Sequence, residues 1–387
     1  MVSLANYTGR EQAYVKHVLL ESYLERLVHK VASRYDHVAY VDGFAGPWLS
    51  ANEKFEDTSF GIALSALRSA KATWKRYGRD VKMSAFLVER EKAAYSRLAQ
   101  VPARYPDVMI KTHCADFLSV VPTILGEIPA NAFAFVLIDP KGWRVTLKTL
   151  APLLARSNSE VIFNFMFDFI NRAASINEPK VIAGLDELIP LGNWRAALAD
   201  GERNGGLSPE DRNEILVDAF SDSLRQIGNY GHVAETAVLR PTKDRPLYSL
   251  LYCTRRKEGI EVFRDCQIAA LEEQSRTRAA VKIGHAETTT GQGEIFQSLH
   301  EMGPDDLLRY LRSEREAAAR RVLELVPALP DGIRYEQLWP QILGRIVVKK
   351  VDVNKIVARL RKENRLLIPD WERGRRVPQD SYRLQRT

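Results

Sequence analysis

Apolar residues recur at helical spacing from Glu11 to Ser33 (Val15, Val18, Leu19, Tyr23, Leu24, Leu27, Val28 and Val31), which predicts an amphipathic helix. A short apolar run, His37-Val38-Ala39-Tyr40-Val41, follows and stops at Asp42-Gly43. Met83 to Val88, Val108 to His113, Ala134 to Ile138 and Val161 to Phe165 have the same nearly continuous apolar character, the mark of strands buried on both faces. Helical patterns separate them: Gly61 to Tyr77, Arg90 to Gln100 and Leu147 to Ala155. This alternation predicts an α/β domain, a Rossmann-like parallel sheet with helices on both sides. Such a sheet places its ligands outside the carboxyl ends of the strands.

Further on, a helical insertion around Glu178 to Leu198 and a helix over Ser208 to Ile227 lead to two strand-like runs, His232 to Leu239 and Leu247 to Cys253. The Pro- and Asp-containing stretch between those runs predicts a turn. A hairpin closing five parallel strands is the arrangement of methyltransferase-type sheets. Val262 to Val281 reads as a long helix. His285 to Gly293 has two glycines and no apolar period, so residues 285–294 are expected to be a linker between domains spanning 1–284 and 295–387. The second domain shows helices over Pro304 to Leu325, Tyr335 to Leu343 and Asp352 to Asn364. Two short runs then meet across Glu372 to Arg376, which completes the outline of a winged helix-turn-helix. No internal repeat is visible.

The composition of the 387 residues, 45% hydrophobic and 27% charged, is that of a globular protein. No apolar run approaches the roughly 18–20 residues that span a bilayer, and the N-terminus lacks a secretory pattern. Three cysteines, Cys114, Cys253 and Cys266, without Cys-x-x-Cys spacing, argue against a disulfide framework or structural zinc. A cytoplasmic location is expected. Charge placement says more than the total of +7. From Arg312 onward stand 18 Lys and Arg against 10 Asp and Glu, so the basic excess lies in the last fifth of the chain. That asymmetry suits a polyanion, nucleic acid first; a solvated basic surface is the plainer reading.

Four strand ends carry candidate chemistry. Asp42-Gly43-Phe44-Ala45-Gly46-Pro47 can turn sharply and let a cofactor approach the backbone. An indole at Trp48 narrows that pocket. Glu89, closing the second strand, suits a two-point grip on ribose hydroxyls, or is a solvated strand-end acid. Asp116-Phe117 after the third strand either meets an adenine or caps the next helix. After the fourth strand, Asp139-Pro140-Lys141-Gly142-Trp143 offers a carboxylate for an acceptor amine and a ring on which a base stacks. Lys141 is a phosphate or carboxylate binder, a base, or an exposed turn lysine. Asn164, at the end of the fifth strand, and Lys16 and His17 on the first helix are weaker candidates for the same cleft. No ligand set of metal-binding spacing appears, so no metal is expected.

In the tail, Val353, Ile356, Val357 and Leu360 form one stripe of the third helix and leave Lys355, Arg359 and Lys362 outward. Lys349, Lys350 and Arg361 flank or join it, and Arg373, Arg375 and Arg376 belong to the wing tip. A helix in a major groove with a basic wing on the backbone is one use of this pattern; docking to a protein is the other.

Lys16-His17 with Tyr23-Leu24, Tyr40 to Pro47, Asp57 to Leu64, Phe86-Leu87-Val88-Glu89 and Ile138 to Trp143 together resemble the three-Cys-motif partner (TcmP) family. The resemblance covers roughly residues 10 to 280. It implies a fold similar to S-adenosylmethionine-dependent methyltransferases and a role in modifying or repairing nucleic acid, DNA before RNA. It also implies a partner protein bearing a three-cysteine motif like that of radical enzymes. Three functions remain open: a methyltransferase-like enzyme, with Asp139, Lys141 and Trp143 placing the acceptor, a non-catalytic binding module that recruits a partner enzyme to nucleic acid, or a winged-helix regulator that senses a small ligand in the Rossmann cleft.

Overall fold

The computed structural model describes Tyr7 and residues 11–46, 50, 55–143, 145–239, 246–290 and 297–387. The chain divides into two compact units, Met1–Arg255 and Arg256–Thr387.

The first unit is built on seven strands: β1 (His37–Asp42), β2 (Lys82–Val88), β3 (Met109–His113), β4 (Phe133–Ile138), β5 (Ser159–Phe165), β6 (His232–Leu239) and β7 (Pro246–Thr254). Their order is β3-β2-β1-β4-β5-β7-β6. β1 to β5 pair in parallel and only β7 runs against its neighbours. This is the sheet of five parallel strands and a closing hairpin that the apolar runs predict. The expected turn between the hairpin strands falls on residues 240–245, outside the described residues.

The helices of this unit are α1 (Glu11–Ala32), α2 (Ser59–Arg76), α3 (Lys92–Leu98), α4 (Val101–Arg104), α5 (Phe117–Glu127) and α6 (Leu147–Leu154), followed by α7 (Phe167–Ala174), α8 (Pro179–Leu188), α9 (Trp194–Arg203) and α10 (Pro209–Gly228). Local chemistry starts them where the sequence allows. Thr58 accepts the Gly61 N–H at 3.1 Å to open α2. Ser208 and Asp211 form a reciprocal box at the head of α10.

Side chains alternate across the central strands. Ala39, Val41, Phe86, Val88, Ala134, Val136, Val161 and Phe163 join the residues of α5 to α10 in one core. On the other face Tyr40 stacks on Phe135 and Tyr23 of α1 packs against the same ring. At the base of β5 the buried Glu160 accepts from Thr254 at 2.8 Å and from Tyr23 at 2.5 Å. Burial raises its pKa, and those hydroxyls oppose the rise. The bonds tie α1 to β5 and β7, and so fix where the front of α1 meets the opposite end of the sheet.

The second unit contains α11 (Lys257–Thr290), α12 (Gln297–Leu325), β8 (Ile333–Arg334), α13 (Tyr335–Arg345), α14 (Lys350–Lys362), β9 (Leu366–Leu367) and β10 (Arg383–Arg386). Its strands form an antiparallel sheet in the order β8-β10-β9. Two expectations change here. The linker placed at 285–294 is helical as far as Thr290, and residues 291–296 lie outside the described residues. The unit boundary falls at 255/256 instead of 284/285. The cause is packing: Ile260, Phe263, Cys266 and Ile268 of α11 are buried, and Arg264 donates to the Leu343 carbonyl at 2.7 Å. On α14 the stripe of Val353, Ile356, Val357 and Leu360 is buried as its spacing predicts. No helix among the described residues is long and apolar enough to cross a membrane.

Candidate cofactor and acceptor site

The carboxyl ends of β1, β2, β4 and β5 lie side by side. The backbone leaving β1 is stitched to both neighbours. Gly43 donates to the Leu137 carbonyl of β4 at 3.1 Å, and Ala45 donates to the Val88 carbonyl of β2 at 2.8 Å. Asp42 shapes the turn from below: it is 1% exposed and accepts from the Phe44 N–H at 3.0 Å and the Tyr40 hydroxyl at 2.9 Å. Burial pushes its carboxyl up to about 7, against the pull of those two donors; Asp139 adds to the rise and Lys16 opposes it.

Gly43 is required for steric reasons. A Cβ there meets the Phe117 ring at 2.6 Å, and Phe117 in turn packs edge-on against Phe44 at 5.8 Å. Gly43→Ala is therefore expected to cost about 1–3 kcal/mol of stability through overpacking. Combining it with Phe117→Ala removes the clash, so a double-mutant cycle by urea denaturation reads a coupling above about 1 kcal/mol. Simple additivity would show that the ring does not rest on this glycine.

Glu89 ends β2 in a buried position and accepts the Glu91 N–H at 2.6 Å. Burial raises its pKa, while the turn N–H groups and the nearby Lys141 charge oppose the rise. Asp116 is exposed, and its side chain accepts the Leu118 N–H at 3.0 Å as the cap of α5. Of its two sequence readings, the structure shows the cap. Phe117, nominated to pack against a base, is 2% exposed and spent beneath Gly43. Pro47 and Trp48 fall outside the described residues.

Beyond β4, Asp139 is held from two sides. Lys16 of α1 forms an ion pair with Oδ2, and the Asn164 amide of β5 donates to Oδ1. The side chains of Lys16 and Asp139 are only 14% and 17% exposed. Asn164 is 3% exposed, and its Oδ1 has no hydrogen-bond partner among the described residues. The other expected members of this group divide. Lys141 is exposed in the turn that Gly142 makes with φ +110°. Trp143 lies against α8, its Cζ3 2.3 Å from where a Cβ on Gly184 would stand, so that edge of the indole packs instead of facing the cleft. His17, beside Lys16 in sequence, pairs with Tyr7 at 2.8 Å. Lys16 and Asn164 are thus the partners of Asp139. The sole sequence signals for them were a Lys on the front turns of α1 and an Asn near the end of an apolar strand.

In the second unit the nominated basic residues separate in the same way. Lys349 stands before α14 with its N–H on Asp352 at 3.2 Å. Lys350 is 4.2 Å over the Trp339 ring and pairs with Asp380 at 3.5 Å and Glu261 at 3.7 Å. Arg375 pairs with Glu372 at 2.9 Å. Arg361 lies over Trp371 at 4.6 Å. Lys355, Arg359, Lys362, Arg373 and Arg376 are exposed.

No family model matches the sequence, and no curated protein does. Among solved structures, one similar chain is a Legionella pneumophila str. Philadelphia 1 protein at 12% identity, with 62% of this chain and 84% of that chain covered and a TM-score of 0.36. Another is loganic acid methyltransferase with SAH, at 9% identity, 79% and 90% coverage and a TM-score of 0.30. At these values the likeness adds nothing to the strand order.

Proposed function

We propose that the first unit is an S-adenosylmethionine-dependent methyltransferase-like enzyme and that the second brings it to nucleic acid. One observation carries the reading: a glycine-containing loop, pinned to the strands on both sides, has the acids Asp42 and Glu89 at adjacent strand ends of a β3-β2-β1-β4-β5-β7-β6 sheet. The residues fit the cofactor. Phe44 and Gly46 of the pinned loop are only half-buried, Glu89 would grip the ribose hydroxyls, and Asp42 would offer negative charge to a cationic donor. The cofactor supplies an activated methyl group; Asp139, with Lys16 and Asn164, holds the acceptor beside it, and the rate comes mainly from alignment. The order α12, β8, α13, α14, β9, β10 supports a winged helix-turn-helix, with α14 as reader and the segment between β9 and β10 as wing. The resemblance to three-Cys-motif partner proteins supports a role in modification or repair beside such a partner.

Titration calorimetry with S-adenosylmethionine and its demethylated product tests the first unit. Saturable binding of either, reduced at least tenfold in Glu89→Ala, is expected; a folded protein that binds neither overturns the reading. The non-catalytic alternative is favoured by one observation: Phe117, expected against the adenine of the cofactor, and Trp143, expected to stack on the acceptor base, are engaged in packing.

A further inference from the structure

We propose that Lys16, delivered by α1, is a positioning residue that holds Asp139 in place and neutralises its carboxylate at the acceptor site. The group admitted is then an uncharged N–H donor, such as the amino group of a base, and not an ammonium. The chemistry rests on the methyl-transfer reading above; the electrostatic role of Lys16 does not.

The geometry is specific. Lys16 comes from a helix 123 residues away in sequence and reaches Asp139 Oδ2 in a largely covered position. The other oxygen is committed to the Asn164 amide, so the carboxylate plane is fixed by one bond from each side. Among the described residues, the groups facing this carboxylate are Lys16 from α1, Tyr40 and Asp42 from β1, Asn164 from β5 and Tyr248 from β7. Lys16 is the single cation in that set and Asp139 its direct partner. An entering ammonium would have to compete with Lys16 for one carboxylate, whereas an uncharged N–H can donate without displacing it. The Asn164 Oδ1, buried and without a partner among the described residues, is a second acceptor for such a donor.

An uncharged amine also balances the reaction. Its lone pair forms the new N–CH3 bond, the S–CH3 bond of a sulfonium donor breaks, and that electron pair stays on sulfur to give a neutral thioether. The nitrogen becomes positive beside Asp139 and then releases one proton to water. An ammonium has no lone pair to begin with.

Lys16→Met and Lys16→Arg in the full chain test this. Carboxyl 13C NMR, assigned with Asp42→Asn, follows the Asp42 titration without any cofactor. Lys16→Met is expected to move its midpoint upward from about 7, because the repulsion from Asp139 is no longer opposed. Lys16→Arg should leave it in place. An unchanged midpoint in a folded Lys16→Met protein overturns the positioning role. With labelled S-adenosylmethionine, wild type should methylate duplex DNA and leave a lysine-rich peptide untouched. Lys16→Met should lose kcat roughly ten- to a hundredfold with little change in KM, and Lys16→Arg should recover it. Methylation of the peptide by wild type overturns the neutral-donor assignment. Absence of cofactor binding in every variant refutes the methyl-transfer reading and with it the substrate class, while the Asp42 titration still decides the role of Lys16.

Discussion

Asp42→Asn is expected to stabilise the protein by up to about 4 kcal/mol above pH 7 and to change stability by no more than about 1 kcal/mol near pH 4. The reason is the cost of ionising a carboxyl that is 1% exposed. Its pKa rises from the ordinary 3.8 to about 7 in the folded chain, and each unit corresponds to about 1.4 kcal/mol. Between those two values the folded protein keeps a proton that the unfolded chain has released, so native stability falls as pH rises through the window. Below it both states are protonated, and above it the full cost is present. Asparagine cannot titrate. Its carbonyl can still accept the Phe44 N–H, and its amide faces Tyr40, whose hydroxyl oxygen can then accept. Urea denaturation at pH 4, 5.5, 7 and 8 measures the difference. A gain that does not depend on pH would show that Asp42 ionises alike in the folded and the unfolded chain. Nature's retention of a costly carboxylate is explained if its charge serves the ligand: the same substitution is then expected to weaken S-adenosylmethionine binding while it strengthens the fold, an exchange common at functional sites.

The sheet was readable because its determinants are local. Each central strand is an apolar run, and the register that sets Asp42 beside Leu87 and Leu137 follows from burying both faces of β1. The pinned loop and Glu89 were readable for the same reason, since both end such runs. Other parts of the site were hidden. An Asp before a helix has the same sequence whether it meets a ligand or caps the helix, and at Asp116 the cap is what the structure shows. Trp143 is aromatic in either role; only the missing side chain at Gly184, 41 residues later, shows where its edge lies. Lys16 reaches Asp139 because the Tyr23–Glu160 bond fixes α1 over the sheet, and no spacing in the sequence encodes that. The expected linker failed differently. Gly291 and Gly293 suggested flexibility from His285 onward, yet the helix that begins at Lys257, secured by Phe263 and Arg264, runs through that point.

Replacing Lys355, Arg359, Lys362, Arg373 and Arg376 together by Gln is expected to abolish most duplex DNA binding, and replacing Lys350 and Arg375 is not. All seven are basic residues of one unit, and net charge alone would treat them as similar. Their surroundings differ. Lys350 is engaged with Trp339, Asp380 and Glu261, and Arg375 with Glu372, so a phosphate would have to displace an existing partner. The five others are exposed, as Arg375 also is, but the one ion pair among them, Arg359 with Glu363 on the same helix, is looser, at 3.7 Å against 2.9 Å for Arg375 with Glu372. Exposed pairs of that kind contribute little and yield readily to a phosphate. Each phosphate neutralised releases counterions and adds about 0.9 to the slope of log affinity against log salt. Five lost contacts therefore lower the slope by about 4 to 5, while the Lys350 and Arg375 pair of changes leaves it within about one unit. Fluorescence anisotropy between 50 and 300 mM salt reads both. Lys350→Gln should instead lower the melting temperature of the second unit, since Asp380 and the Trp339 ring lose a cation. Equal slope losses in the two variants would show that binding is set by total charge and not by the α14 and wing surface. A flat salt response in the unmodified protein would identify that surface as a protein-docking face, because without phosphate contacts there are no counterions to release.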